Sequence, residues 1–145
     1  MRVVIDPNVL LSALIAPGGA SDQAVRAVVT RATLIVSSHL IERFVRRASE
    51  ERFRRWFSIA DARELADRLL DFAEVVIDPE QIPAAVETDP SDDYLVALAR
   101  HAGAERLLTG DRGIRRALQE AADLNVVSPA ELLKELATQE PPSHG

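Results

Sequence analysis

The 145-residue chain carries 17 basic and 23 acidic residues, for a formal net charge of −6; 47% of it is apolar, 28% is charged, and it has no cysteine. This is the composition of an ordinary globular chain, long enough for one domain to bury a sizeable core, and the missing cysteine excludes a disulfide framework, a cysteine zinc site and thiol catalysis. The acidic balance argues against a protein that coats nucleic acid in general.

In chain order, RVVID (2–6) is β-rich and ends in Asp6, the pattern of a parallel central strand buried on both faces. VLLSALIA (9–16) reads as a helix stopped by PGG (17–19), and 21–32 as a second helix capped by Ser21 or Asp22. TLIVS (33–37) is a second strand, 39–56 an arginine-rich helix with His39 at its start, and 58–73 an amphipathic helix capped by Ser58. EVVID (74–78) is a third strand closed by Pro79, and 79–88 a polar connection.

DPSDDYLVALARHAGA (89–104) reads as a helix with Asp89 as N-cap, Pro90 at its first position and Gly103 as its stop. RLLT (106–109) is a fourth strand followed at once by Gly110 and Asp111; 112–121 is helical. NVV (125–127) is a short edge strand, and 128–137 a last helix capped by Ser128. A single domain over 1–137 with a frayed tail at 138–145 is expected. The apolar N-terminus is interrupted by Asp6, Pro7 and Asn8, a poor signal peptide, and no apolar run is long enough to span a bilayer. A soluble, cytoplasmic protein is expected.

Strands alternating with helices imply an α/β sandwich of three layers around a mostly parallel sheet of four to five strands. Ligands in such folds bind outside the carboxyl ends of the strands. Asp6 ends the first strand, Asp111 follows the fourth, Asp92 and Asp93 open a helix, and Glu42 lies early in the helix after strand two. Carboxylates gathered at one edge repel, and a hard divalent cation relieves them; oxygen donors without histidine or cysteine point to Mg²⁺ or Mn²⁺ and to metal-assisted phosphodiester hydrolysis.

Each acid also has a local reading: a strand-ending turn for Asp6, a helix cap for Asp92 and Asp111, a favourable helix dipole for Asp93. Asn8, Ser37 and Thr109 read either as supports for the acids or as turn and cap residues. Of the 17 basic residues 16 are arginine, and six fall within 43–55: Arg43, Arg46, Arg47, Arg52, Arg54 and Arg55. They suit phosphate contact or a solvated face, while Phe44, Phe53, Trp56 and Phe57 suit core, an interface or base stacking.

The stretches VVIDPNVLLSALIAPGGAS, DPSDDYLVALARHAGA and LLTGD together resemble the PIN domain, in particular the VapC-like toxin ribonucleases, over roughly residues 2–135. The resemblance implies a Mg²⁺- or Mn²⁺-dependent endoribonuclease, RNA as substrate, a small antitoxin as partner and a homodimer. It places metal ligands on Asp6, Asp92 and Asp111, with Asp93 and Glu42 as additions. Asn8 and Thr109 match its supporting polar positions, and Arg46, Arg47 and Arg112 are candidates for holding phosphate. Two departures stand out: Pro7 replaces a threonine or serine, and in SSHLIERF (37–44) Arg43 takes the position of an acid, with Glu42 one residue, or about 100° of helix, away. A weakened PIN scaffold that binds RNA or a partner without efficient turnover is therefore a second expectation. A receiver-like phosphoacceptor is a third, although it wants a late lysine and the sole one, Lys134, lies in the last helix.

Overall fold

RVVI forms β1 (Arg2–Ile5), whose Val3, Val4 and Ile5 are buried. The structure is a computed structural model that describes residues 1–86 and 90–139, so Asp89, His144 and the rest of the tail from 140 onward lie outside the described residues. β1 pairs in parallel with β2 (Thr33–Val36) on one side and β4 (Arg106–Leu108) on the other. β3 (Glu74–Val75) adds to β2 and β5 (Asn125–Val127) to β4, giving a five-stranded all-parallel sheet in the order β3-β2-β1-β4-β5.

The connections are α1 (Pro7–Ile15) and α2 (Ala20–Arg31), then α3 (Ser38–Ala48) and α4 (Ile59–Phe72), then α5 (Pro90–His101), α6 (Arg112–Ala117) and α7 (Pro129–Gln139). Right-handed crossovers put α1 to α4 on one face; the direction along the sheet then reverses, which puts α5 and α6 on the other. α7 returns to pack on α2. The result is the three-layer α/β sandwich that the alternation of strands and helices predicts.

Element boundaries shift for local reasons. α1 starts at residue 7, because Asp6 caps it and Pro7 takes the first helical position, where no amide hydrogen is needed. α2 begins at Ala20 with Gly19 as its cap; Ser21 and Asp22 are inside the helix, and the Asp22 carboxylate accepts from the Gly18 amide at 2.8 Å. α3 ends at Ala48 instead of reaching 56; a 3-10 turn follows (Glu51–Phe53), and Phe53 and Phe57 turn inward and stack 5.6 Å apart. Trp56 remains exposed. β3 is two exposed residues instead of 74–78, since an edge strand has one neighbour and Pro79 ends any ladder. α5 closes at Gly103, whose φ of +65° lets the Ala104 amide reach back to the Ala99 carbonyl at 2.8 Å. Ser58 and Ser128 cap α4 and α7 as their sequence predicts.

Candidate active site

The Asp6 amide donates to the Leu108 carbonyl at 2.9 Å, holding the carboxyl ends of β1 and β4 side by side. These strands flank the point where the crossovers change face, which is where open α/β sheets bind ligands. Asp6 leaves β1 there, Asp111 leaves β4, and Asp92 stands in the first turn of α5. All three line one cleft of about 400 Å³. Its opposite wall comes from α3 and the turn after it: Arg43, Arg46, Arg47 and Glu50.

Asp6 is almost fully buried and doubly held. Its Oδ1 accepts from the Asn8 amide at 2.9 Å, capping α1, and its Oδ2 accepts from the Thr109 hydroxyl at 2.7 Å. Thr109 Oγ1 in turn accepts from the Asp111 amide at 3.0 Å, while Asp111 Oδ1 accepts from the Ile114 amide and caps α6. One hydroxyl thus ties two of the acids together. Burial pushes the Asp6 carboxyl above the usual aspartate value; the two hydrogen bonds pull it down, the Asp111 charge pushes it up, and Arg43 pulls it down.

The remaining candidates separate. Asp92 is buried at the cleft. Asp93 is buried but turns elsewhere: its Oδ1 accepts from the Ala85 and Val86 amides at 2.9 and 2.7 Å, fastening that segment to α5, and it does not line the cleft. Glu42 is exposed on α3 and also outside the cleft lining; Arg43, one residue later, faces in. The sequence leaves open whether Glu42 joins the acids; the Ser37 hydroxyl accepts from the Leu40 amide and caps α3, and in this rotation Glu42 lies outside the cleft lining.

Ser37 caps α3, and its hydroxyl also meets the Tyr94 hydroxyl at 2.6 Å. Asn8 is exposed and lines both the cleft and an adjoining hollow that shares Asp6 and Asp111 and adds Ser12 and Ser21. Arg112 is exposed at the first position of α6, outside the cleft lining. Glu50 is the acid that sequence reading passes over, because it follows a helix break that no glycine or proline announces.

Hard oxygen donors alone are the donor set of Mg²⁺ or Mn²⁺. Among the described residues no three acidic or histidine side chains are grouped closely enough to ring a bare ion. The cleft fits instead the usual mode of Mg²⁺, in which one or two carboxylates hold an ion that keeps its waters and gains phosphate oxygens from a ligand.

The profile of the PIN domain family matches residues 2–113. Among solved structures, VapBC2 from Rickettsia felis, bound to a DNA fragment from their promoter, is similar with a TM-score of 0.60 at 11% identity, over 88% of this chain and 98% of that one. PAE2754 from Pyrobaculum aerophilum gives a TM-score of 0.65 at 17% identity, over 96% and 91%. The chain matches no curated protein. Its five-stranded parallel sheet, its acids at the β1–β4 edge and a family profile spanning most of its length agree: the chain belongs to the PIN domain family.

Proposed function

We propose that the protein is a divalent-metal-dependent endoribonuclease, the toxin of a toxin–antitoxin pair. The observation that carries this reading is the meeting of Asp6, Asp92 and Asp111, from three separate segments, in one cleft walled by Arg43, Arg46 and Arg47. A divalent cation held by one or two of these carboxylates would supply Lewis-acid polarisation of a phosphodiester and an acidified water. The chain's own part is to hold the acids still and to seat the RNA. Thr109 and the Asn8 amide fix both oxygens of Asp6, and Arg46 and Arg47, exposed on α3, suit the non-bridging phosphate oxygens. A small antitoxin, pairing with a second copy and a cytoplasmic setting belong to the same reading. No helix among the described residues is long and apolar enough to cross a membrane.

The test is cleavage of a structured RNA by purified protein with Mg²⁺ or Mn²⁺. Cleavage should stop with EDTA and fall by at least about a hundredfold in Asp6→Asn, the scale expected when a group acting on the reacting centre is lost. Cleavage by Asp6→Asn at the wild-type rate would sink the proposal. A second reading, RNA binding with little turnover, is favoured by Arg43 facing the cleft while Glu42 does not. It predicts tight RNA binding that outlasts EDTA, with no products at any metal concentration.

A further inference from the structure

Among the described arginines that line the cleft, Arg43 is the most buried and rests on an aromatic ring. Arg46 and Arg47, farther along α3, are exposed, whereas Arg43 is half-buried. Its guanidinium carbon stands 5.1 Å from the centre of the Tyr94 ring, within cation–π range. That ring is itself clamped. The Tyr94 hydroxyl shares a hydrogen bond with Ser37 Oγ at 2.6 Å and donates to Asp78 Oδ1, the His39 amide donates to Asp78 Oδ2, and the His39 ring meets the tyrosine edge-on at 4.6 Å. Three elements thus brace the platform on which Arg43 rests: the start of α3, α5 and the segment after β3.

From this platform the Arg43 charge reaches the acids. Arg43 lines the same cleft of about 400 Å³ as Asp6, Asp92 and Asp111, so its guanidinium and their carboxylates face one shared volume. A fixed positive charge among carboxylates does part of the work of a bound cation, and it repels a second one.

We propose that Arg43 is a built-in counter-cation of the acidic cleft, which partly neutralises Asp6 and Asp111 and so holds down the cleft's affinity for a divalent metal ion. Arg43 then sets the metal concentration at which the cleft fills. The inference rests on reading the cleft as a metal site, and it requires no activity on RNA.

The experiment is Mn²⁺ binding to the full chain without RNA, followed by electron paramagnetic resonance of free Mn²⁺, for wild type, Arg43→Gln, Arg43→Lys and Arg46→Gln. Thermal melting checks that each variant folds. Arg43→Met, which keeps an apolar stem against Tyr94, replaces Arg43→Gln if the latter melts early.

Arg43→Gln is expected to lower the Kd for Mn²⁺ by about tenfold or more, the change that relief of roughly 1.4 kcal/mol of like-charge repulsion produces. Arg43→Lys should stay near wild type, and Arg46→Gln should gain clearly less than Arg43→Gln. Equal Kd values for wild type and Arg43→Gln, or no binding by either, overturn the proposal, as does an equal gain from Arg46→Gln. RNA cleavage is read separately. Cleavage by wild type without a Mn²⁺ gain in Arg43→Gln overturns the counter-cation and leaves the nuclease standing; a Mn²⁺ gain without cleavage by any variant supports the counter-cation and sinks the nuclease.

Discussion

The Thr109 hydroxyl donates to Asp6 Oδ2 at 2.7 Å and accepts from the Asp111 amide at 3.0 Å, and it is buried while doing both. Replacing it with valine keeps the volume and removes both partners at once. A buried carboxylate oxygen and a backbone amide then lose their hydrogen bonds, at a cost of about 1–3 kcal/mol. The Asp6 carboxylate also loses its orientation, and supporting groups of this kind are worth about 10–100-fold in metal affinity or activity. Thr109→Val should therefore lower both the urea midpoint and the cleavage rate, and Thr109→Ser should recover most of each. A valine variant with wild-type stability and rate would show that the hydroxyl is idle. This role was half legible in the sequence: a threonine at a strand end, one glycine before an acid, reads equally as a turn residue. What decides it is the Asp6–Leu108 hydrogen bond, a contact 102 positions apart that no local pattern encodes.

At the scale of elements, α5 does two things with adjacent aspartates. Asp92 faces the cleft, while Asp93 accepts the Ala85 and Val86 amides and pins the long connection after β3, with Val86 buried beneath. Asp93→Ala should destabilise the protein by about 1.5–3 kcal/mol, because both hydrogen bonds go to a charged acceptor. It should also speed hydrogen exchange of the 85 and 86 amides, while Mn²⁺ binding changes little. Lost Mn²⁺ binding at wild-type stability would make Asp93 a ligand instead. The sequence placed both acids in the opening turn of a helix, since caps and helix starts are local signals. It left their division of labour open, because that depends on where a distant, irregular segment lies. The same limit explains α3. Its start is legible near Ser37 and His39, but whether Glu42 or Arg43 faces the acids stays open in the sequence, because one residue is about 100° of helix. Its end is not legible because no glycine or proline marks the break, which serves the packing of Phe53 and Phe57.

Across the whole molecule, the sheet order was less legible than the layers, and ion pairs between distant elements were not legible at all. Arg106 on β4 meets Glu135 on α7, and Arg115 on α6 meets Glu131 at the start of α7, so the last helix is fastened to the β4–α6 side by charge. The Arg115 hydrogen bond, helped by those from Ser128 and opposed by burial, holds Glu131 down from 4.5 to about 2. A lowered carboxyl contributes stability above its unfolded value and loses it as pH falls towards the folded one. The Glu131 contribution is thus complete above about pH 5 and fades between about 4.5 and 2. Asp6, whose carboxyl is raised, has the opposite sign: its contribution is full below 3.8 and is lost as pH rises through its folded value. Both partners of the Arg115–Glu131 pair are about half exposed, at 46% and 49%, so solvent screening limits it to roughly 0.5–1 kcal/mol. Glu131→Gln tests the charge alone, because glutamine can still complete the capping box that Glu131 makes with Ser128. Wild type should exceed this variant by that amount in urea unfolding at pH 7 and low salt. The gap should shrink in 1 M salt, where the screening length is about 3 Å, and close as the pH approaches 2. A gap that survives acid and salt unchanged would assign the contribution of Glu131 to the cap and not to Arg115.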